Sequence, residues 1–249
     1  MAPAIHVSDV SKAFRLPHHE RTTLKEHFLH PLRRDTIELQ HALRNVTLSV
    51  EQGEFFGIMG PNGSGKSTLL KIIAGIYPPD TGRVRVNGLL SPFIELGVGF
   101  NPELTGRDNI RLNATLLGLG KGELDDRYED IVEFAEMERF IDRKLKNYSS
   151  GMQMRLAFSI AIQVDFDILL LDEVFAVGDL AFQEKCVAKF SDFRAAHKTI
   201  VLVTHDPLAV RALCDRVLVL ADGRVGELGS VTDVLTEPAG AELSRYAGD

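Results

Sequence analysis

The chain has 249 residues and a formal net charge of −7, and 45% of its residues are hydrophobic. This length and composition fit a globular protein with a substantial core, and the acidic balance argues against a nucleic acid as the main partner. No apolar run reaches the roughly 18 residues of a transmembrane helix, and the start at 1–6 lacks the pattern of a secretory signal. Cys186 and Cys214 lie far apart and form no metal-binding spacing, which predicts buried thiols in a reducing compartment.

Apolar patterns and turn signals predict an α/β chain. The run 168–171 is entirely apolar, as expected for a strand that is buried on both faces of a parallel sheet. Helical signals dominate from about 101 to 164. The predicted strands are 5–14 (an edge strand), 43–50, 55–59, 83–86, 168–171, 199–204 and 216–220, with one more after Asp222-Gly223, and a helix covers 68–73.

Residues 15–40 interrupt the alternation with prolines and with charges of both signs. Leu24, Phe28 and Leu32 recur there at helical spacing, which predicts a short amphipathic helix. His27 and His30 have no carboxylate or cysteine pattern beside them, so we do not expect a metal site in this segment.

A phosphate-binding loop lies between the strand 55–59 and the helix 68–73. It matches G-x-x-x-x-G-K-[ST], in which glycines let the backbone N–H groups approach a phosphate. We expect Lys66 to reach the β- and γ-phosphates and Ser67 to ligate Mg²⁺. The alternative is a glycine-rich turn that imitates the pattern. The predicted ATP-binding residues here are Gly60, Pro61, Asn62, Gly63, Ser64, Gly65, Lys66, Ser67 and Thr68.

Two further strand ends carry the catalytic candidates. Asp172 falls at the carboxyl end of a predicted strand, where open α/β sheets place ligands, and is suited to hold Mg²⁺. Glu173 follows it and is the candidate base that polarises water. His205 ends the strand 199–204, so it should lie at the same sheet edge and bond the γ-phosphate. The alternatives are a polar strand exit and a histidine without a role.

A second anion site is predicted around Ser149 and Gly151, which precede an apolar helix at 154–162. Because the chain already holds one complete phosphate loop, this site makes sense if it serves the ATP of a second copy. An ordinary serine N-cap is the alternative.

The order and spacing of these motifs resemble the ATP-binding subunit of ABC transporters over residues 5 to about 235. The resemblance implies a P-loop ABC-ATPase core, an antiparallel β subdomain and an inserted helical subdomain, with ATP and Mg²⁺ as ligands. It also implies that Phe14, rather than His41, stacks on adenine. Ser149, Ser150 and Gly151 would contact the ATP of the partner copy, and Asp179 would link the two sites.

Departures from the usual pattern resemble the branch that exports polysaccharides (O-antigen, teichoic acid and capsule exporters; Wzt-like). Ser150 and Met152 replace a glycine and a glutamine of the signature, and the segment 101–110 is typical of that branch. The glutamine expected near 91–100 is absent, and Glu95 is the nearest equivalent, as a ligand of Mg²⁺ or its waters.

This resemblance implies one ABC ATPase domain over 1–249, with a catalytic core at 1–91 and 166–249 and a helical subdomain at 92–165. The expected partners are a second copy, an integral-membrane subunit in two copies and a lipid-linked glycan, at the cytoplasmic face of the cell membrane. The insertion 15–40 would face the membrane subunit, or else pack on the chain's own surface. Since the sequence ends at Asp249, we expect no added carbohydrate-binding domain. A non-glycan exporter and a non-transport ABC ATPase stay as alternatives.

Overall fold

The computed structural model describes residues 2–17, 37–94, 99–172 and 180–236. In these ranges the strands are β1 Ile5–Pro17, β2 Ile37–Val50, β3 Phe55–Met59, β4 Thr81–Val86, β5 Leu90–Phe93, β6 Ile168–Asp172, β7 Thr199–Val203, β8 Arg216–Ala221 and β9 Arg224–Ser230. The helices are α1 Lys66–Ile73, α2 Gly106–Leu116, α3 Lys121–Ala135, α4 Ser150–Ala161, α5 Leu180–Ala195, α6 Pro207–Leu213 and α7 Val231–Val234.

The main sheet has six strands in the order β5-β6-β7-β3-β8-β9, and only the β8–β9 pair is antiparallel. Every residue of β3 and of β7 is buried, because cores cover both faces of the sheet. One core packs α1 and the antiparallel strands against the sheet, and an aromatic core that includes Phe158, Phe182 and Phe190 covers the other face. The expected α/β architecture is therefore confirmed.

The second sheet has the order β2-β1-β4 and is antiparallel. The prediction of an edge strand at 5–14 is wrong, because β1 is central and pairs on both sides. The alternation of apolar and polar residues in β1 shows that one face of the strand is buried. That pattern is the same whether the strand pairs with one neighbouring strand or with two. The strands also extend into both ends of the predicted insertion 15–40, where Pro17 pairs with Ile37. Residues 18–36, including Leu24, His27, Phe28, His30 and Leu32, lie outside the described residues.

Helices α2, α3 and α4 share a core of their own, as expected for a helical subdomain. It includes Ile110, Ile131 and Leu156, while the bounds 92–165 stay a prediction. Asn109 is fully buried, and its side-chain amide donates to the carbonyl oxygens of Asn101 at 3.0 Å and Thr105 at 2.9 Å, which holds the preceding loop on α2. In the described part of the chain, none of the helices is both long and apolar enough to cross a membrane.

Candidate active site

The loop between β3 and α1 requires glycine at particular positions. Gly60 has φ 147° and Gly65 has φ 104°, a region that other residues rarely adopt. A Cβ atom would lie 2.1 Å from the Leu220 carbonyl oxygen at Gly60 and 2.4 Å from the Ala42 carbonyl oxygen at Gly65. Gly63 has φ 80° and no atom within 4 Å of the Cβ position. Two glycines therefore pack the loop against its neighbours, while the third borders open space.

The side chain of Lys66 folds back over this loop. It is 6% exposed, and its Nζ donates to the carbonyl oxygens of Gly60 and Pro61, both at 2.9 Å. The Ser64 hydroxyl is buried and has no hydrogen-bond partner among the described residues. The loop thus holds a cation beside backbone that turns at the start of a helix, which is an arrangement suited to a phosphate.

A cavity of about 520 Å³ joins this loop to the rest of the predicted site, within the size range of small-molecule pockets. The loop and α1 contribute Asn62, Gly63, Gly65, Lys66, Ser67 and Thr68. Asp172 lines the same cavity from the end of β6. Strand β7 lies between β6 and β3, and Val203 pairs with both Asp172 and Ile58, so the sheet order brings Asp172 and the loop to one edge.

Ser67 and Asp172 fit a site for Mg²⁺, since both offer hard oxygen ligands and line the same cavity. Over the ranges that the structure describes, no group of three His, Cys, Asp or Glu side chains is placed to hold a metal ion. Mg²⁺ at phosphate sites usually takes only one or two protein ligands and completes its shell with waters and phosphate oxygens. Glu95, the third predicted ligand, lies outside the described residues.

Strands β1 and β2 contribute another part of the cavity wall. Phe14 pairs with Gln40 across the two strands, and both line the cavity together with His41 and Ala42. Ile94 also lines it and was not predicted. The sequence contains no signal for Gln40 or Ala42, because their place depends on the β1–β2 register. An aromatic ring and a phosphate loop thus face a single cavity.

His205 is the second residue after β7, because the strand ends at Val203 and not at 204 as predicted, and it is exposed. It is not among the described residues that line the cavity. Next to it the Asp206 carboxylate accepts a hydrogen bond from the Leu208 backbone N–H at 2.8 Å and caps α6. The catalytic role of His205 stays a prediction. Glu173 and Asp179 lie outside the described residues.

The second predicted anion site lies at the start of α4. Ser149 is the N-cap, and its Oγ accepts from the Met152 backbone N–H at 3.2 Å. Ser149 and Ser150 are exposed, and Gly151 is half-buried. Tyr148 is buried and donates its hydroxyl to the Phe140 carbonyl oxygen at 2.8 Å, and burial raises the pKa of this tyrosine to about 12. Of these residues, none belongs to the described lining of the chain's own cavity.

Comparisons with known proteins identify the family of this chain. The family model for ABC transporters matches residues 43–176. The O-antigen export system ATP-binding protein RfbB of Klebsiella pneumoniae is 43% identical over 94% of this chain and 97% of its own length. The teichoic acids export ATP-binding protein TagH of Listeria monocytogenes is 43% identical over 78% of this chain and 57% of its own length. A dimeric structure of the ATP-binding cassette MJ0796 with ADP and Pi has a TM-score of 0.74 at 26% identity, covering 91% of this chain and 98% of that one.

Proposed function

The chain belongs to the ABC transporter family and is an ATPase, and we propose that it is the ATP-hydrolysing subunit of an exporter that moves a lipid-linked polysaccharide across the cytoplasmic membrane. The observation that carries the ATPase part is the cavity that joins Phe14, the phosphate loop and Asp172. That cavity is lined both by an aromatic ring on which a base can stack and by the Lys66 ammonium and the loop that can bind phosphates.

Different residues of the chain have different roles in hydrolysis. The backbone N–H groups of the loop and the Lys66 ammonium bind the β- and γ-phosphates and offset their charge. Ser67 and Asp172, with Glu95, would hold Mg²⁺, which would neutralise charge on the phosphate oxygens. Glu173 accepts the proton of the attacking water. His205 donates to the γ-phosphate and orients it.

Two copies of the chain complete two sites. The signature residues Ser149, Ser150 and Gly151 lie at the solvent-accessible start of α4 and outside the described lining of their own chain's cavity. A second copy would present this helix start to the γ-phosphate, while Asp179 links the two sites. MJ0796, which shares this fold, forms a dimer with ADP and Pi. ATP then joins the copies, and they separate after hydrolysis and phosphate release, which add charge repulsion and remove the shared contacts.

The helical subdomain is the proposed contact with two copies of an integral-membrane subunit at the cytoplasmic face. An apolar hollow of about 370 Å³ lies between it and the main sheet, lined in part by Phe93, Ile94 and Leu117. At its rim Ile76 is 53% exposed and Leu116 is 65% exposed, and apolar side chains at such exposure favour a protein contact. The insertion 15–40 is a second proposed contact with the same subunit.

The substrate class follows from the relatives. Similar chains are named for O-antigen export and for teichoic acids export, and both names denote surface polysaccharides. The proposal therefore names a lipid-linked polysaccharide and no particular glycan.

The dimer is tested with Glu173→Gln, which we expect to bind ATP, to hydrolyse it very slowly and to run as a dimer in light scattering with ATP. Adding Ser149→Arg to this variant should leave ATP binding intact and abolish the dimer. Ser191→Arg, on the exposed surface of α5, is the matched control and should leave the dimer unchanged. An ATP-loaded Glu173→Gln protein that stays monomeric would contradict the shared site.

The transport role is tested by deleting the gene for this chain in its source organism. Loss of the chain should remove a surface polysaccharide and accumulate its lipid-linked form inside the cell. The wild-type chain should restore export, whereas Lys66→Ala should not, and the chain should co-purify with an integral-membrane protein. Unchanged surface polysaccharide would refute the substrate class without affecting the ATPase assignment.

A further inference from the structure

A turn that follows α1 is hydrogen-bonded to β1 immediately before Phe14. One carboxylate oxygen of Asp80 accepts from the Lys12 ammonium at 2.8 Å, and the other accepts from the Ala13 backbone N–H at 2.7 Å. The Asp80 backbone N–H donates in turn to the Ser11 carbonyl oxygen at 2.9 Å. The hydrogen bond from Lys12, then the one from Ala13, lowers the pKa of Asp80, so this carboxyl is charged at neutral pH. One aspartate therefore holds three consecutive residues of β1.

Tyr77 adds a contact with the ring itself. The rings of Phe14 and Tyr77 meet edge to face, with centroids 5.6 Å apart and planes at 70°, a favourable geometry for two aromatic rings. The backbone N–H of Tyr77 donates to the Lys71 carbonyl oxygen at 3.2 Å, and the Lys71 ammonium lies 5.6 Å from the centroid of the Tyr77 ring. Tyr77 is thus attached to the last turn of α1, the helix that begins at Lys66.

The contacts of Asp80 and Tyr77 lie where β1 stops pairing with one of its two neighbouring strands. The pairing between β1 and β4 ends at Ser11 and Thr81, whereas the pairing between β1 and β2 continues to Pro17. In the described structure, Phe14 therefore stands on a ribbon of two strands, and such a ribbon is weakly stable by itself. Asp80 and Tyr77 support it on the side where β4 has ended.

We infer that Tyr77 and Asp80 are positioning residues for nucleotide binding, which hold the Phe14 ring at a fixed distance from the phosphate loop through α1. This inference rests on the proposed role of Phe14 as the surface on which the base stacks. The alternative is that the two residues support only the fold of the turn. The positioning role and the purely structural role predict different affinities for a ligand that has a base and for one that lacks it.

The test compares ADP with pyrophosphate, which share a diphosphate and are not hydrolysed by the site. Dissociation constants for both are measured by titration calorimetry, together with KM and kcat for ATP. Phe14→Ala should weaken ADP binding about 10- to 100-fold, as expected for loss of base stacking, and leave pyrophosphate binding unchanged. Asp80→Asn and Tyr77→Leu should each weaken ADP binding about 3- to 10-fold, raise KM and leave kcat and pyrophosphate binding unchanged.

Two controls accompany these variants. Tyr77→Phe keeps the ring and should bind ADP nearly as tightly as the wild type. Asp142→Asn breaks an ion pair of similar length but greater exposure, to Arg107 at 2.9 Å in the helical subdomain, and should change neither ligand's affinity.

Each remaining outcome overturns a specific statement. If Phe14→Ala weakens ADP binding while Asp80→Asn and Tyr77→Leu do not, the positioning role is wrong and the stacking role stands. If Phe14→Ala itself has no effect on ADP, the stacking role fails and this inference fails with it. If Asp80→Asn and Tyr77→Leu weaken ADP and pyrophosphate equally, the two residues support the fold of the site and do not position the ring.

Discussion

The contact between Gly106 and Tyr148 gives a sharp test of how the signature helix is held. Gly106 begins α2, and Tyr148 directly precedes the N-cap Ser149 of α4. A Cβ atom on Gly106 would lie 2.3 Å from the Tyr148 hydroxyl, which is too close for two non-bonded atoms. Because Tyr148 is buried and its hydroxyl is bonded to the Phe140 carbonyl oxygen, the ring has little freedom to move away. Gly106→Ala should therefore displace the residue that leads into Ser149.

The magnitudes follow from this geometry. Overpacking of this kind costs about 1–3 kcal/mol of the free energy of unfolding. Tyr148→Phe removes one hydrogen bond and should cost about 1 kcal/mol. In the double variant the clashing oxygen is absent, so the loss should be smaller than the sum of the single losses by about 1–2 kcal/mol. Recovery should be incomplete, because the added Cβ still lies 3.0 Å from the Ile141 carbonyl oxygen.

The assay is urea unfolding of the wild type, both single variants and the double variant, with the ATPase rate and ADP affinity measured in parallel. Gly106→Ala should lower the ATPase rate and leave ADP binding near the wild-type value, because its neighbours do not line the nucleotide cavity in the described structure. The double variant should regain part of the rate. Losses in unfolding free energy that add within about 0.5 kcal/mol would refute the contact as the cause.

Three other expectations concern the nucleotide site and the thiols. Gly60→Ala should abolish ATP binding in calorimetry, because its Cβ would meet the Leu220 carbonyl oxygen at 2.1 Å, and measurable wild-type affinity would contradict the packing. Asp172→Asn should weaken ATP binding in the presence of Mg²⁺ and much less in its absence, and equal losses would argue against a ligand role. Cys186 and Cys214 should react slowly with Ellman's reagent in the folded protein and rapidly in guanidinium, since burial raises the pKa of both thiols to about 12 and leaves little thiolate at neutral pH. Fast reaction of the native protein would show that the thiols are accessible.

The inner strands β3, β6 and β7 of the main sheet could be predicted closely because they are buried on both faces, whereas the partly exposed edge strand β5 was not predicted. The predicted bounds of β3 match the structure, and β6 and β7 differ by one residue. The ends of a continuous apolar run between turn signals can be located from the sequence itself, without knowing which strands pair with it. The place of β1 could not be predicted in the same way, because an alternating pattern records which face is buried and not how many neighbours the strand has.

The phosphate-binding and base-binding parts of the nucleotide cavity differ for a related reason. The phosphate-binding part is encoded in consecutive residues, so the motif alone indicates Lys66 and Ser67. The base-binding part depends on the pairing of Phe14 with Gln40 and on the contact of Phe14 with Tyr77, which are distant in the sequence. Those positions depend on the register between β1 and β2 and on the path of the chain after α1. Neither can be derived from a single sequence.

The start of α4 also reconciles the two interpretations of Ser149. Its Oγ accepts from the Met152 N–H, so it is a true N-cap, yet this satisfies only one of the four N–H groups that a helix start leaves without intrahelical partners. A Cβ atom added at Gly151 would have the Ser149 hydroxyl oxygen as its near neighbour, at 3.9 Å, so the approach to the backbone there is open. Capping fixes the direction of the helix axis before any phosphate arrives. A triphosphate on a second copy would then meet donors that are already oriented, so the capping bond assists the proposed shared site and does not compete with it.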